Sequence, residues 1–377
     1  MSFRRTIPAV LMAAALTVHP ALAAADDLPT DSGNAGSAGS AGSSGGDASL
    51  SDQIAGSSIH PDQSSVPQDP PAVPDGVRIT RVDDLDGDPQ GRVKSVHITS
   101  PAMKFDDMVV EMILAKDWYT HPDESFPSLW GLNGLYGSEE HSAWLPKDRG
   151  DALTHYADKN INVVLPVGGY ASFYTDWEKP DLGAQLNWET FLTQELPGLL
   201  ARDMRSNNHR GIMGVSMGAT ASMLLAERHP DLFQFAGSMS GFLDTTSPGM
   251  PEAIGTEMQT YGRTATNMWE PYYSQGWRDH DPKLMIGNLR NTAVFVSAGT
   301  GVPYPGEGYG DPSIDQINQA TEAVARLNAQ TFLTQAAFAG VKVQSNLRPA
   351  GSHNWMSWQK DLETAWPLIA SSLGVEE

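Results

Sequence analysis

The feature that most constrains the fold of this chain is the alternation of short, almost wholly apolar runs with longer segments of helical periodicity. The runs at 161–166 (INVVLP) and 293–298 (AVFVSA) are typical of strands that are buried on both faces. The segments at 188–204 and 317–338 follow a helical pattern instead. Because strands buried on both faces need helices on each side, the alternation predicts an α/β fold with a mostly parallel central sheet.

The same patterns predict further elements and one interruption. Strands are predicted at 76–82, 92–98, 108–115, 210–215, 233–239 and 341–347, and helices at 216–229 and 359–373. The segment 241–290 breaks the alternation, because it is rich in Pro, Gly, Met, Trp and Tyr. A long irregular insertion between core strands usually carries function. Two interpretations stay open: a surface flap, or an apolar wall for a bulky substrate.

The N-terminal part of the chain is predicted to lie outside this folded unit. Residues 1–23 combine a short basic region, a mostly apolar stretch and a small-x-small site at Ala21-Leu22-Ala23, which indicates a signal peptide and a secreted protein. Residues 24–75 are rich in Gly, Ser, Ala, Pro and Asp and have little apolar surface to bury, which indicates a disordered linker. Residues 76–377 are predicted to form one domain.

The composition excludes several kinds of site and partner. The chain has 0 cysteines, so it can form no disulfide and no thiolate site. Its formal net charge of -21 repels nucleic acid and anionic membrane surfaces, and we expect no nucleic-acid partner. No clustered metal-ligand spacing or phosphate-cradling loop is evident in the sequence, so we expect neither a metal nor a cofactor.

The strongest local motif is Gly214-Val215-Ser216-Met217-Gly218, which lies between a predicted strand and a predicted helix. This context is typical of a nucleophile elbow, in which a serine sits on a sharp turn with its hydroxyl exposed. The helix N-terminus there favours developing negative charge. We therefore expect Ser216 to be a nucleophile and the Met217 amide to be an oxyanion donor. The alternative is an ordinary turn in which the serine caps the helix.

A serine nucleophile needs a base, and in the α/β-hydrolase order both the acid and the histidine follow the serine. His229 would end the helix that Ser216 begins, about 20 Å away, and His280 lies in the insertion. His353 follows the last predicted strand, where a sheet of this type delivers its histidine, so we predict that His353 is the base. The residues alone leave the acid open among Glu307, Asp311, Asp315 and Glu322.

Four segments of the chain carry a family resemblance. They are VLPVGGYASFYTDW at 164–177, WETFLTQELPGLL at 188–200, GVSMGATASMLLAERHPDLFQFAGSMSGFLD at 214–244 and SHNWMSW at 352–358. In these segments the chain resembles the antigen 85 mycolyltransferases of mycobacteria and corynebacteria. The resemblance implies an α/β-hydrolase fold and transfer of a mycolyl group from trehalose monomycolate, through an acyl-serine, to a sugar hydroxyl. It also implies a place in the cell envelope, with trehalose mono- and dimycolate and cell-wall glycolipids as partners.

The resemblance also implies which acid completes the triad. In this family the acid is a glutamate on a helix about thirty residues before the histidine, and Glu322 lies 31 residues before His353. Arg326 and Phe332 match the pattern that follows that glutamate. We therefore predict a triad of Ser216, His353 and Glu322.

Residues 129–140 match the family loop that supplies a second oxyanion amide, which the resemblance places at Leu135. Two departures stand in this loop. Asn133 replaces an aspartate that holds trehalose in the family, and Tyr136 replaces an arginine. Both changes remove charged hydrogen-bonding groups from the sugar site. We expect Asn133, Tyr136 and Trp355 to bind substrate, with Trp355 stacking against a sugar face.

These observations together predict a secreted acyltransferase of the cell envelope, in peripheral contact with the outer lipid layer. One alternative is a secreted carboxylesterase, which would deliver the acyl group to water. A second is a protein O-mycolyltransferase, or an enzyme that acts on arabinogalactan. A third is a surface-binding protein built on an inactive hydrolase scaffold, against which the intact Ser216, His353 and Glu322 set argues.

Overall fold

The computed structural model of the chain describes residues 66, 69–85, 88, 90–137 and 140–376. The predicted signal peptide at 1–23 and most of the predicted linker at 24–75 lie outside these residues. Among the helices of the described part, none combines the length and apolar composition that a membrane crossing requires.

A single nine-stranded sheet, in the order β1-β2-β3-β5-β4-β6-β7-β8-β9, forms the centre of the described part. The pairings among β1, β2, β3 and β5 are antiparallel, and the five other pairings are parallel. The strands are β1 Arg78–Asp84, β2 Val93–Ser100, β3 Phe105–Ile113, β4 Phe126–Leu132, β5 Asn162–Pro166, β6 Ser206–Val215, β7 Phe235–Met239, β8 Ala293–Ala298 and β9 Val343–Leu347. The mostly parallel sheet that the sequence predicts is confirmed.

Helices cover both faces of this sheet. Side chains of α3, α4 and α9 join one apolar core, and side chains of α1 and α10 join a second core on the other face. The helices are α1 Ala152–Tyr156, α2 Trp188–Thr190, α3 Leu196–Asp203, α4 Met217–Arg228, α5 Met250–Thr260, α6 Ala265–Met268, α7 Gln275–Arg278, α8 Pro282–Met285, α9 Pro312–Ala339 and α10 Trp355–Leu373. A π-helical turn, Phe191–Glu195, joins α2 to α3, and a 3₁₀ turn, Ile286–Leu289, follows α8.

Strand β8 shows why its sequence is almost wholly apolar. Val294 and Val296 belong to the first core, while Ala293 and Phe295 belong to the second, and all four are fully buried. Successive side chains of a strand point to opposite faces, so a strand covered on both sides needs apolar residues at every position.

Strand β4 was not predicted from the sequence, although it lies in the middle of the sheet between β5 and β6. Its sequence, FPSLWGL, contains Pro127 and Gly131, both of which argue against a central strand. The pairing of β4 with β6 shifts register between Phe126 and Ser128. The proline therefore lies at an irregularity of the ladder, where a missing N–H is tolerated.

Two helices begin earlier than the apolar periodicity predicts, because capping residues set their starts. Helix α9 begins at Pro312, and the Asp311 side chain accepts a hydrogen bond from the Ser313 N–H. Helix α10 begins at Trp355, and the Asn354 side chain caps it in the same way. This start places His353 immediately before the cap of α10.

The insertion at 241–290 is more ordered than its composition suggests, since it forms α5 to α8. Trp269 and Trp277 have no exposed surface and pack edge to face, with ring centroids 5.1 Å apart. Met258 and Met268 are also fully buried in the same core. These four residues are used in packing, so a substrate wall, one of the two interpretations of this segment, would have to be formed by its other residues.

Candidate active site

Ser216 lies on the turn between β6 and α4. Its backbone has φ of 55° and ψ of −123°, a combination that a residue with a Cβ rarely adopts. The Ser216 N–H donates to the Met239 carbonyl oxygen at 2.9 Å, which ties the turn to the end of β7. The strained turn aims the hydroxyl away from the sheet, as a nucleophile elbow requires.

The two glycines of the motif allow this turn. A Cβ at Gly214 would lie 2.2 Å from the carbonyl carbon and oxygen of Gly218. A Cβ at Gly218 would lie 2.5 Å from the carbonyl oxygens of Leu132 and Asn133. Strand β6, helix α4 and the end of β4 therefore meet at a distance that only glycine permits.

The structure brings the three predicted triad side chains into one line of hydrogen bonds. His353 Nε2 lies 2.7 Å from Ser216 Oγ, and His353 Nδ1 lies 2.9 Å from Glu322 Oε2. A carboxylate can only accept, so Nδ1 carries the ring proton and Nε2 accepts from the serine hydroxyl. This arrangement has the geometry of a serine nucleophile paired with a general base.

Glu322 is fully buried in the middle of α9, and its second oxygen accepts three hydrogen bonds. The donors to Oε1 are Ser240 Oγ at 2.8 Å, the Gly299 N–H at 2.5 Å and Arg348 Nη2 at 2.9 Å. The other nitrogen of the Arg348 fork donates to the carboxylate of Asp361. The acid facing the histidine is therefore held from behind by three donors.

Two peptide groups, those of Leu135 and Met217, are the oxyanion donors that we predict, and the structure gives the position of the segments that carry them. Met217 is the first residue of α4, so its N–H has no acceptor within the helix. The loop after β4 lies against the serine, because a Cβ at Gly134 would be 3.4 Å from Ser216 Cβ. Leu135 follows in that loop, and its carbonyl accepts from the Ala171 N–H at 2.9 Å. The loop after β4 and the first turn of α4 thus both lie next to Ser216, and the Leu135 and Met217 amides remain the predicted oxyanion donors.

Comparison with known proteins identifies the family of the chain. The esterase family model, described as "Putative esterase", matches residues 100–369. The chain is 34% identical over 261 residues to the diacylglycerol acyltransferase/mycolyltransferase Ag85A of Mycobacterium tuberculosis, which covers 66% of this chain and 74% of that relative. The chain belongs to the antigen 85 mycolyltransferase family. Ag85B of Mycolicibacterium smegmatis is 34% identical over 254 residues, covering 64% of this chain and 76% of its own.

Solved structures show the same fold. MPT51 (FbpC1) of Mycobacterium tuberculosis superposes with a TM-score of 0.64 at 29% identity, covering 78% of this chain and 99% of its own. An S-formylglutathione hydrolase from Agrobacterium tumefaciens shares the fold with a TM-score of 0.56 at 14% identity, covering 79% of this chain and 100% of its own. The predicted α/β-hydrolase fold is confirmed, and the antigen 85 family places the chain among enzymes named as acyltransferases and esterases.

Asn133 does not face the site as the antigen 85 resemblance implied. Its side chain is fully buried. The amide oxygen accepts from Ser142 Oγ and the Ala143 N–H, both at 3.1 Å, and the amide nitrogen donates to the Pro166 carbonyl at 3.1 Å. The expectation that Asn133 binds a sugar is corrected, because this side chain joins the loop after β4 to the neighbouring backbone.

Tyr136 is open to solvent, with 68% of its surface exposed. Its ring packs edge to face on Tyr261, with centroids 5.3 Å apart, and Tyr170 packs on the other side of Tyr261 at 5.2 Å. Trp355 is partly buried between Trp144 and Trp358, at 5.5 and 5.2 Å. Tyr136 is therefore accessible to a ligand, whereas much of the Trp355 ring is in contact with protein.

Helix α5 brings further groups near the triad. Burial raises the pKa of the partly buried Glu257, and the interaction of this carboxyl with His353 opposes that rise. Burial also raises the pKa of Tyr261, and a hydrogen bond with Tyr136 adds to the effect. Helix α5 and its C-terminal cap thus carry one group that interacts with His353 and one that contacts Tyr136. Within the ranges that the structure describes, no three metal-ligating side chains are grouped to hold an ion.

The other acids considered from the sequence have different positions. Asp311 caps α9, and Asp315 accepts from the Tyr309 N–H at 2.7 Å. Glu307 accepts from the Ser352 N–H at 3.0 Å and from Ser357 Oγ at 2.6 Å, so it braces the loop that carries the histidine. Sequence reasoning missed this role of Glu307, because no local pattern pairs it with residues 352–357.

Proposed function

We propose that the protein is a secreted acyltransferase that moves a mycolyl group from trehalose monomycolate, through an acyl-serine, to trehalose or a cell-wall sugar hydroxyl. The observation that carries this proposal is the unbroken line of hydrogen bonds from Ser216 through His353 to Glu322. It occurs in a chain that is 34% identical to a protein named as a mycolyltransferase.

In the first half of the cycle, Ser216 Oγ attacks the ester carbonyl of the donor and His353 Nε2 takes the hydroxyl proton. Glu322 holds the Nδ1 proton and stabilises the imidazolium. The Leu135 and Met217 amides bind the oxyanion, and each such donor contributes about 3 kcal/mol to lowering the barrier. The tetrahedral intermediate then breaks its bond to the sugar oxygen, which leaves with the proton from His353.

In the second half, an acceptor hydroxyl takes the place of the departed sugar. His353 removes its proton as the oxygen attacks the acyl-serine carbonyl, and returns the proton to Ser216 Oγ as that bond breaks. The new ester is released and the enzyme is restored. Transfer exceeds hydrolysis only where the acceptor outcompetes water at this step.

The proposed acceptor site contains both departures from the family pattern, Asn133 and Tyr136. The buried amide of Asn133 leaves no charged group at that position, and Tyr136 presents an exposed phenol. Tyr136 with Tyr170 and Tyr261 offers aromatic faces and hydroxyls, which suit a neutral sugar. We expect Trp355 to contribute through the edge that its neighbours leave uncovered.

The sequence of residues 1–23 supports export of the protein, and the composition of residues 24–75 supports a linker to the catalytic domain at 76–377. We infer that the enzyme works in the cell envelope, where trehalose mycolates and wall glycolipids are available. Peripheral contact with the outer lipid layer would follow from the lipid nature of the donor.

Intact-protein mass analysis after incubation with trehalose monomycolate tests the proposal. The wild type should gain the mass of one mycolyl group, and Ser216→Ala should gain none. Ser371→Ala, whose hydroxyl bonds within α10, serves as the matched control and should be acylated like the wild type. A Ser216→Ala variant that turns over donor at the wild-type rate would refute the acyl-serine mechanism.

Hydrolysis is the competing outcome, because the chain also matches the esterase family model. Product analysis with increasing trehalose separates the two functions. A transferase forms trehalose dimycolate in proportion to acceptor, whereas a carboxylesterase releases free acid at any trehalose concentration. Acyl transfer to a protein hydroxyl would appear in the same assay as a mass increase on an added protein acceptor.

A further inference from the structure

A buried group of charges lies behind Glu322, on the side away from His353. Arg348 directly follows β9, and its two terminal nitrogens donate to Glu322 Oε1, at 2.9 Å, and to Asp361 Oδ2. The side chains of Glu322 and Asp361 have no exposed surface, and that of Arg348 is 3% exposed. The guanidinium therefore joins two fully buried carboxylates.

The backbone and neighbouring side chains fix this group in place. The Arg348 N–H donates to the Ala298 carbonyl at 3.0 Å, and the Arg348 carbonyl accepts from Arg326 Nη1 at 2.8 Å. Asp361, on α10, accepts from Ser297 Oγ at 2.8 Å and from Asn346 Nδ2 at 2.9 Å. The ends of β8 and β9 thus hold the arginine and the second carboxylate in register with the triad acid.

The charge of the group changes with the histidine. Two ionised carboxylates and one guanidinium leave a net charge of about −1 behind a neutral imidazole, and a protonated imidazole brings the total to about zero. Water screens these charges only weakly, because all of the groups are buried. The arrangement is therefore electrically balanced at the moment when His353 holds the serine proton.

We propose that Arg348 and Asp361 are positioning residues that act through Glu322: the Arg348 fork orients the acid, and Asp361 supplies the second negative charge that makes His353 basic enough to activate Ser216. This inference rests on the proposed serine acyl-transfer chemistry. Without Asp361, the guanidinium would neutralise Glu322 alone, and the imidazolium would lose the charge that balances it.

Other ionisable groups also interact with His353 or Asp361, or with the loop next to the histidine. Glu257 approaches His353 from α5, and Glu307 braces the loop that begins with Ser352. The pKa of Asp361 is raised to about 6, mainly because the carboxyl is buried, and the negative charge of Glu322 adds to the rise. The charge and hydrogen bond of Arg348 and the hydrogen bond of the Ser297 hydroxyl act in the opposite direction. Asp361 is thus mostly ionised at pH 7 and above.

The test is the pH dependence of kcat/KM for hydrolysis of 4-nitrophenyl butyrate by the full chain. Asp361→Asn removes one buried negative charge with little change in shape. At an effective dielectric constant of about 20, this loss should move the acidic limb of the profile about one pH unit lower. The plateau should fall about tenfold, because a less basic imidazole is a weaker catalyst.

A double variant, Arg348→Gln with Asp361→Asn, separates charge from structure. It removes one charge of each sign, so the net charge behind His353 returns to about −1, and the limb should return to within about 0.3 pH units of the wild type. A purely structural role predicts no movement of the limb in either variant. The double variant also replaces a buried ion pair with neutral groups, which a folded protein often tolerates.

Glu189→Gln is the matched control, since Glu189 is a mostly buried acid that pairs with Arg228 and His229 at the far end of α4. It should lower stability and leave the limb unmoved. A limb that stays at the wild-type pH in Asp361→Asn, or that shifts further in the double variant, would overturn the inference. Failure of the proposed function would look different, because the wild type itself would then show no esterase activity that depends on Ser216.

Discussion

Replacing Glu322 with glutamine should inactivate the enzyme more severely than removing the side chain altogether. The Glu322 Oε1 position accepts from Ser240, Gly299 and Arg348, so only a carbonyl oxygen fits there. In the Glu322→Gln variant, the new amide nitrogen would therefore face His353 Nδ1 and donate to it. The ring proton would move to Nε2, and a protonated Nε2 cannot take the proton of the serine hydroxyl.

The size of the expected loss of activity follows from the three hydrogen bonds that Glu322 Oε1 accepts. Turning the amide round would place its NH₂ group against them, which loses two neutral hydrogen bonds worth about 1 kcal/mol each and one from a guanidinium worth about 2 kcal/mol. The unproductive tautomer is therefore favoured by about 4 kcal/mol, a population ratio of about a thousand. We expect kcat/KM to fall by about 10³ to 10⁴, in keeping with the loss on equivalent changes in other serine triads.

The assay is kcat/KM for 4-nitrophenyl butyrate at pH 8, measured for the wild type, Glu322→Gln and Glu322→Ala. In the alanine variant the imidazole is free to adopt either tautomer, so the loss should be about tenfold smaller than in the glutamine variant. Circular dichroism and a melting curve check that each variant is folded. A folded glutamine variant as active as the alanine variant, or more active, would refute this account of the three donors.

Three further predictions concern other parts of the chain. Gly214→Ala should abolish activity and lower the free energy of unfolding by at least about 3 kcal/mol, because its Cβ would lie 2.2 Å from the Gly218 carbonyl. Gly287→Ala is the matched control, since the nearest atom to its Cβ would be 3.4 Å away. Equal midpoints of urea unfolding for the two variants would contradict the prediction. Burial raises the pKa of Glu189, but its ion pairs outweigh this effect and lower the pKa to about 2. Glu189→Gln should therefore lose about 2 to 3 kcal/mol of stability at pH 7, and its difference from the wild type should close as the pH falls from about 4.5 to 2; a gap in urea unfolding that persists at pH 2 would count against this. Burial lowers the pKa of His280 from its ordinary value of 6.5 to about 4. The folded protein therefore keeps this imidazole neutral at a pH where the unfolded chain protonates it, and about 3 kcal/mol of folding stability is lost as the pH falls from 6.5 to 4. His280→Asn should flatten this part of the stability profile, and an unchanged slope would disprove the assignment.

The sequence predicts a strand or helix well where its pattern of apolar residues matches the faces that are buried in the fold. The run at 293–298 has both faces covered, so its apolar composition leaves no other interpretation, and β8 matches it at both ends. Strand β4 is the contrary case, because Pro127 and Gly131 conceal a central strand that the neighbouring β5 and β6 stabilise. Tertiary pairing there overrides local preference.

Some residues of the candidate site can likewise be predicted from the sequence, and others cannot. Ser216 and His353 follow from a local motif and a position after a strand, which a sequence displays directly. The choice of Glu322 depended on the family resemblance, since nothing in the surrounding helix distinguishes it from Asp315. Arg348 and Asp361 could not be predicted, because their roles come from contacts between the end of β9 and α10. Asn133 shows a different error: its position in the family loop suggested a role in sugar binding, but its buried side chain bonds to Ser142 and to neighbouring backbone groups.

The direct pairing of β4 with β6 has a consequence for how members of this family diverge. Leu132 lies opposite Gly214 in that ladder, so Ser216, the proposed nucleophile, and the loop with Leu135, the proposed oxyanion donor, extend from adjacent strand ends. Residues 241–290, by contrast, lie between β7 and β8 in the chain and form α5 to α8. We therefore expect that exchanging this insertion for that of a relative would change which substrates are accepted and would leave the proposed serine, histidine and glutamate in place.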